Sequence, residues 1–313
     1  MKKRNAVFAV VLLLVLAITT FSQSQSSQLR VAVESSSGTY KKMLGDIINV
    51  CSTDNFSIIP AAGLSGGAPD NLDALITNKA DAAFLHSDVF FANSQADPSY
   101  NKLKTLVALY PEPIHVLALR NSKTKKAGAF TFGTVDFNSL SEMSGYKVGA
   151  AGGGVFTARI LQGQGQGGFQ VVTFDRGDDV VAALNNGDIA AAIFVGASPL
   201  PNIEKLPKSS YKLLPIGENI AGRVTGIYRP ATINYNGITN GPLKTMAPVA
   251  VLLTRAFTTP AKIQAQQNFR SCFYEHLNDL KDSASPNWQA VEANDQGTLN
   301  NWLVLPESSA RRK

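Results

Sequence analysis

Histidine and cysteine are scarce in this chain: three histidines (His86, His115, His276) and two cysteines (Cys51, Cys272) in 313 residues. They show no metal-ligand spacing, so no zinc or other metal site is expected, and no cofactor. There is no Gly-Lys-Ser/Thr of a phosphate-binding loop, and no G-x-G-x-x-G in register with a strand, so a nucleotide is not the expected ligand. Charge is also low, at 17% of residues. Without Lys2, Lys3 and Arg4 the 29 basic residues become 26 against 23 acidic, a net +3 spread along the chain. That balance excludes nucleic acid as the expected partner and suits a small anionic or zwitterionic ligand. One long apolar run exists, Ala6–Ile18, too short to span a bilayer comfortably.

That run follows Met1-Lys2-Lys3-Arg4 and precedes Thr20 and Ser22, which sit where a cleavage site places its small residues. A basic, then apolar, then small-residue order is that of a secretory signal peptide, here 1–22. The mature protein is expected to be periplasmic. In that compartment Cys51 and Cys272 can form a disulfide, but both fall in apolar helix-like segments, and two buried thiols fit as well.

The remaining chain is 44% hydrophobic by whole-chain composition, ordinary for α/β domains, and long enough for two lobes. The segment Leu106–Arg120 supports two. Two apolar strand-like pieces, Leu106–Leu109 and Ile114–Leu119, flank Pro111-Glu112-Pro113. The prolines fix two φ angles and remove two donors, so one continuous central strand is excluded and a crossing between sheets is favoured. Pro248–Thr254 reads as the second crossing. The division is 27–117 with 250–313 for lobe 1 and 118–249 for lobe 2.

Both lobes repeat strand, permissive loop and helix. In lobe 1 the strand Leu29–Val33 meets Ser35-Ser36-Ser37-Gly38-Thr39, after which Tyr40, Met43, Leu44, Ile47, Ile48 and Cys51 recur at helical spacing. Gly63, Gly66 and Gly67 form a second such loop. In lobe 2 the strand Tyr146–Ala150 meets Gly152-Gly153-Gly154 before a helix over Val155–Gln162. Helix starts offer free N–H groups and a positive dipole end, which suit an anionic ligand group. Ala80–Leu85 ends in His86-Ser87-Asp88 at a sheet edge of the kind that binds ligands in open α/β sheets. Neighbours in an extended segment point to alternate faces, so these three are not expected to form a hydrolytic triad, and the chain is not expected to be an enzyme. Pro260–Lys281 reads as one long helix, and Trp288 and Trp302 as packing the tail on lobe 1. Gly217–Lys244 reads as irregular.

The order of these loops resembles that of the TAXI-type solute receptors of TRAP transporters, within the type II class of periplasmic binding proteins. Its carriers are Ser37-Gly38-Thr39-Tyr40, Gly66-Gly67-Ala68-Pro69-Asp70-Asn71-Leu72, Ala80-Asp81 with Ser87-Asp88-Val89, and Leu109-Tyr110-Pro111-Glu112-Pro113-Ile114-His115-Val116. The Gly152–Gly154 loop and Gly187-Asp188-Ile189-Ala190-Ala191-Ala192 complete it. The resemblance implies an α/β, two-lobed fold, each lobe a mostly parallel sheet flanked by helices, joined by two β links. It also implies hinge closure over a glutamate-like or dicarboxylate ligand, and delivery to TRAP permease subunits. A membrane sensor in place of a permease, or an exported hydrolase, is the alternative. The first loop is richer in serine, and the second-lobe loop in bulk, than the family pattern. The ligand-binding residues expected are Ser36, Ser37, Gly38, Thr39, Tyr40, Gly66, Ser87, Tyr110, Gly153, Gly154 and Val155, with Arg159 as a carboxylate clamp. A monomer is expected.

Overall fold

The computed structural model describes residues 27–33, 38–63, 67–124, 134–283, 285–292 and 302–305. Lobe 1 opens with β1 (Ser27–Ala32), α1 (Thr39–Cys51), β2 (Phe56–Pro60), α2 (Ala68–Ile76), β3 (Ala82–His86), α3 (Ser87–Ala96) and β4 (Leu103–Pro111). The chain then enters lobe 2 with β5 (Ile114–Leu119), β6 (Lys147–Ala151), α4 (Gly154–Gly163), β7 (Gln170–Phe174), α5 (Gly177–Asn186), β8 (Ala191–Val195), α6 (Pro201–Glu204) and β9 (Tyr211–Leu214). After α7 (Glu218–Arg223) and the hairpin β10 (Arg229–Ile233) and β11 (Leu243–Ala247), β12 (Val249–Arg255) returns to lobe 1. There α8 (Pro260–Glu275) and α9 (Leu277–Lys281) complete it.

The two sheets have one pattern. Their orders are β2-β1-β3-β12-β4 and β7-β6-β8-β5-β9. In each, three strands are parallel (β2, β1, β3; β7, β6, β8), and the next is antiparallel to both neighbours. That antiparallel strand is the one arriving from the other lobe: β12 in the first, β5 in the second. Each sheet is covered on both faces, so its central strands are buried throughout, as β3 and β12 show.

The two crossings touch. The Glu112 N–H donates to the Pro248 carbonyl at 2.8 Å, and the Thr245 hydroxyl to the Ile114 carbonyl at 2.7 Å. The first crossing falls at Glu112–Pro113, ahead of the expected 117/118 division. Leu117 and Leu119 pair with β8 and β9, so all of β5 belongs to lobe 2. The prolines end one ladder, and the next begins within three residues.

The α1 stripe is as its spacing predicts: Tyr40, Met43, Leu44, Ile47 and Cys51 are buried. Cys51 and Cys272 are joined in a disulfide, with Cα atoms 5.7 Å apart, pinning α1 to α8. The expected long helix breaks at His276 into α8 and α9. Gly217–Lys244 is more ordered than its glycines and prolines suggest, holding α7 and β10. Trp288 is fully buried in lobe 1 and donates to Asp46 at 2.8 Å; Trp302 packs beside β4. Buried Asp81 ties β1 and β3 to α8, accepting from Arg30 Nη2 at 3.1 Å and Lys262 Nζ at 2.6 Å. Burial raises its pKa, but these bonds outweigh burial and leave it below the ordinary value.

His115 on β5 is fully buried, edge-on to Tyr235. Among the described residues neither ring nitrogen makes a hydrogen bond of good geometry, although the Pro113 and Phe194 backbones act to raise its pKa. Burial lowers its pKa to about 4 from 6.5. Between those values the unfolded chain takes up a proton that the folded chain refuses. Stability therefore falls as pH drops from 6.5 toward 4, by roughly 3 kcal/mol from this residue. In urea titrations across that range His115→Leu should remove this part of the acid sensitivity; an unchanged slope would show that the ring is protonated in the fold.

Candidate functional site

Four helix starts from the two lobes open on one cleft of about 660 Å³. Lobe 1 contributes Gly38 before α1 and Gly67 before α2; lobe 2 contributes Gly153 before α4 and Arg176 before α5. None of the four is closed by a side-chain cap from its first flanking residue, and three of those residues are glycine. Gly67, immediately before α2, has φ 74°, a conformation that favours glycine. The N–H groups of a helix's first turn suit an anion, and the dipoles of both lobes favour negative charge between them.

The floor of the cleft carries buried charge. His86 ends β3, and Asp88 lies in the first turn of α3. His86 Nδ1 bonds Asp88 Oδ1, and Asp88 Oδ2 accepts the hydroxyls of Thr157 at 2.6 Å and Tyr228 at 2.9 Å. Asp88 and His86 belong to lobe 1, Thr157 and Tyr228 to lobe 2, so the carboxylate is a joint between lobes. Burial pushes the Asp88 pKa up, but His86 and the two hydroxyls outweigh it and hold the group below its ordinary range. For His86 burial acts downward, and Asp88, then Glu112, outweigh it, leaving the imidazole above 6.5. Glu112, between the crossing prolines, is 5% exposed and accepts from Tyr40 at 2.5 Å and Tyr110 at 3.3 Å. Burial dominates there and raises its pKa.

Of the residues singled out in the sequence, Gly38, Thr39, Tyr40, Gly153 and Gly154 line this cleft. Ser36, Ser37 and Gly66 lie outside the described residues. Ser87 is turned away; its Oγ accepts the Val249 N–H at 3.1 Å and fastens β12. Val155 is packed in the lobe 2 core. Tyr110 is buried behind Glu112 and borders an adjoining hollow of about 600 Å³ with Lys42 and Pro113. Arg159 is exposed in a shallow hollow with Phe91 and Gln95, apart from this cleft, whereas Arg176 is among the residues that line it.

Glu112 and Arg176 were missed; His86 reads from the sequence as a plausible contact at the polar end of its strand, and it does line the cleft. A lone acid between prolines at a sheet crossing was the available signal for Glu112. Alternation along a strand would set Ser87 apart from His86 and Asp88; in the structure the strand ends at His86, a helical turn brings Asp88 to its Nδ1, and Ser87 turns to β12. The spacing of a hydrolase nucleophile elbow does occur, at Gly63-Leu64-Ser65-Gly66-Gly67, with 64–66 outside the described residues. The residue shown against His86 Nε2 is Gly153, not a serine or cysteine.

A model of the NMT1-like family matches residues 31–282. The chain belongs to the NMT1-like family. Among solved structures, this NMT1-like chain is similar to an ancestral arginine-binding protein bound to arginine, with a TM-score of 0.50 at 12% identity over 82% of this chain and 98% of the other. It is also similar to protein AF1704 from Archaeoglobus fulgidus, at 0.51 and 10% identity over 86% and 81%. A periplasmic binding protein of an arginine transport system from Legionella pneumophila gives 0.48 at 11% identity over 81% and 95%. No curated protein matches the chain in sequence. At these identities the likeness is one of fold: the NMT1-like chain has the two-lobed architecture of periplasmic binding proteins.

Proposed function

We propose that this NMT1-like protein is an exported receptor that captures a small carboxylate ligand, an acidic amino acid or a dicarboxylate, between its lobes. One observation carries the reading: uncapped helix starts from both lobes converge on one cleft. An anionic group between them gains N–H donors from either side, so closure over it adds contacts that neither lobe supplies alone. Arg176 stands at the start of α5 for a second carboxylate, though in the free protein it pairs with Asp178 at 3.0 Å. Gly38, Thr39, Tyr40, Gly153 and Gly154 belong to the proposed binding set; Ser36, Ser37 and Gly66 remain in it from the sequence reading. Ser87, Val155 and Tyr110 support the walls behind it.

The touching crossings at Glu112 and Pro248 are the proposed hinge. Export rests on the signal-like 1–22 segment, and the partner proposed from the TAXI resemblance is a TRAP-type permease. The role is binding, not turnover.

The test is native mass spectrometry of the purified protein, then a thermal-shift screen of L-glutamate, L-aspartate, succinate and L-arginine. Saturation at a hundred times Kd stabilises by about 2.7 kcal/mol, a clear upward shift in Tm. Shifts from the acidic compounds are expected. A shift with L-arginine alone would make this a cation receptor.

A further inference from the structure

We propose that His86 reads the charge of the ligand: its imidazolium, held by Asp88, donates Nε2–H to a ligand carboxylate, so the ligand is captured together with a proton on His86. This rests on the carboxylate-receptor reading above and names the residue that would decide its specificity.

His86 lines the cleft yet is only 6% exposed. Its Nδ1 is committed to Asp88, and among the described residues no hydrogen bond occupies Nε2. That edge of the ring lies against Gly153: a Cβ added there would come within 2.1 Å of Nε2. Gly153 is also the residue before α4, so Nε2 and a helix N-terminus share one end of the floor. A single carboxylate there meets a full positive charge and the positive end of a dipole.

The surrounding groups reserve that charge for a ligand. Asp88, at the start of α3, already accepts from His86, Thr157 of α4 and Tyr228. Glu112, on the crossing, has one oxygen on the Tyr40 hydroxyl of α1 and the other on that of Tyr110 in β4. Both its oxygens are thus taken up by tyrosine hydroxyls, and Asp88 is the carboxylate bonded to His86. Asp175 and Arg176 lie on the same cleft at the start of α5. A ligand anion completes the set; a ligand cation would meet the imidazolium.

The sign follows. Above its pKa His86 loses Nε2–H as a charged donor, so carboxylate affinity falls as pH rises through that value, and binding takes up a proton in that range. The experiment is calorimetry with L-glutamate and succinate, and L-arginine as the cationic contrast. It is run near neutrality and at about pH 9, in buffers of differing ionisation enthalpy. The expected result is about tenfold or greater weakening at high pH, with net proton uptake. His86→Gln should bind at least about tenfold more weakly, with a flat pH profile. Glu112→Gln should keep a pH-dependent affinity, moved toward lower pH because Glu112 helps to raise the His86 pKa, whereas His86→Gln abolishes the dependence. The pH profile and proton uptake of the wild-type protein need no variant, so the proposal stays testable if His86→Gln unfolds.

Equal affinity across pH, with acids still bound tightly by His86→Gln, would overturn the His86 assignment and leave the receptor reading standing. Binding of L-arginine in place of both acids, or of none of the three, would overturn both.

Discussion

Asp88→Ala should cost about 3–5 kcal/mol of folding stability, measured as a drop in the urea midpoint. The carboxylate is fully buried and serves three partners from two lobes. Removing it strands the His86 charge in a low-dielectric site, which then neutralises, and leaves two buried hydroxyls without their acceptor. Asp88→Asn keeps an acceptor for Thr157 and Tyr228 but loses the charge, so it should fall between wild type and alanine.

The pH profile separates the pair. The Asp88 pKa is lowered in the fold, so its contribution is present above 3.8 and is lost as pH falls through the folded value. The His86 pKa is raised, so its contribution is full below 6.5 and is lost as pH rises through the folded value. Wild type should therefore lose stability as pH rises from 6.5 through the folded His86 value, and Asp88→Ala should not. If Asp88→Ala retained wild-type stability, the lobe joint described here would carry no energy.

Much of the architecture was legible because it depends on local rules. Paired prolines around Glu112 forbid a continuous ladder, and the strand–loop–helix grammar recurs in both halves. The α1 stripe has a period that can be counted. What was illegible depends on where the chain goes after it crosses. Leu117 belongs to lobe 2 only because β8 and β9 lie beside it, and no property of residues 114–119 says so. Arg159 and Arg176 both stand near a helix start after a permissive loop. They differ by rotation: Arg159 lies on the outer face of α4, while Arg176 is the residue before α5 and faces the cleft. The same loss of a long-range coordinate left the cysteines undecided.

Removing that disulfide should give the other large effect: about 2–5 kcal/mol, on reduction or in a Cys51→Ser/Cys272→Ser double variant. The bridged residues are 221 apart in sequence, so the bond closes a loop over most of the mature chain and both crossings. A constraint of that length acts on the unfolded ensemble, where it removes many more conformations than it does from the packed lobe. Two signatures follow. The unfolded chain should expand when the bond is cut, so the urea m-value should rise as the midpoint falls. Ligand affinity should hold, because Cys51 ends α1 roughly 18 Å along the helix from the cleft, where Thr39 begins it. A midpoint unchanged by reductant would mean that the two thiols are not bridged in solution. A large loss of affinity would mean that the pinning of α1 to α8 also sets the position of the helix start at the ligand.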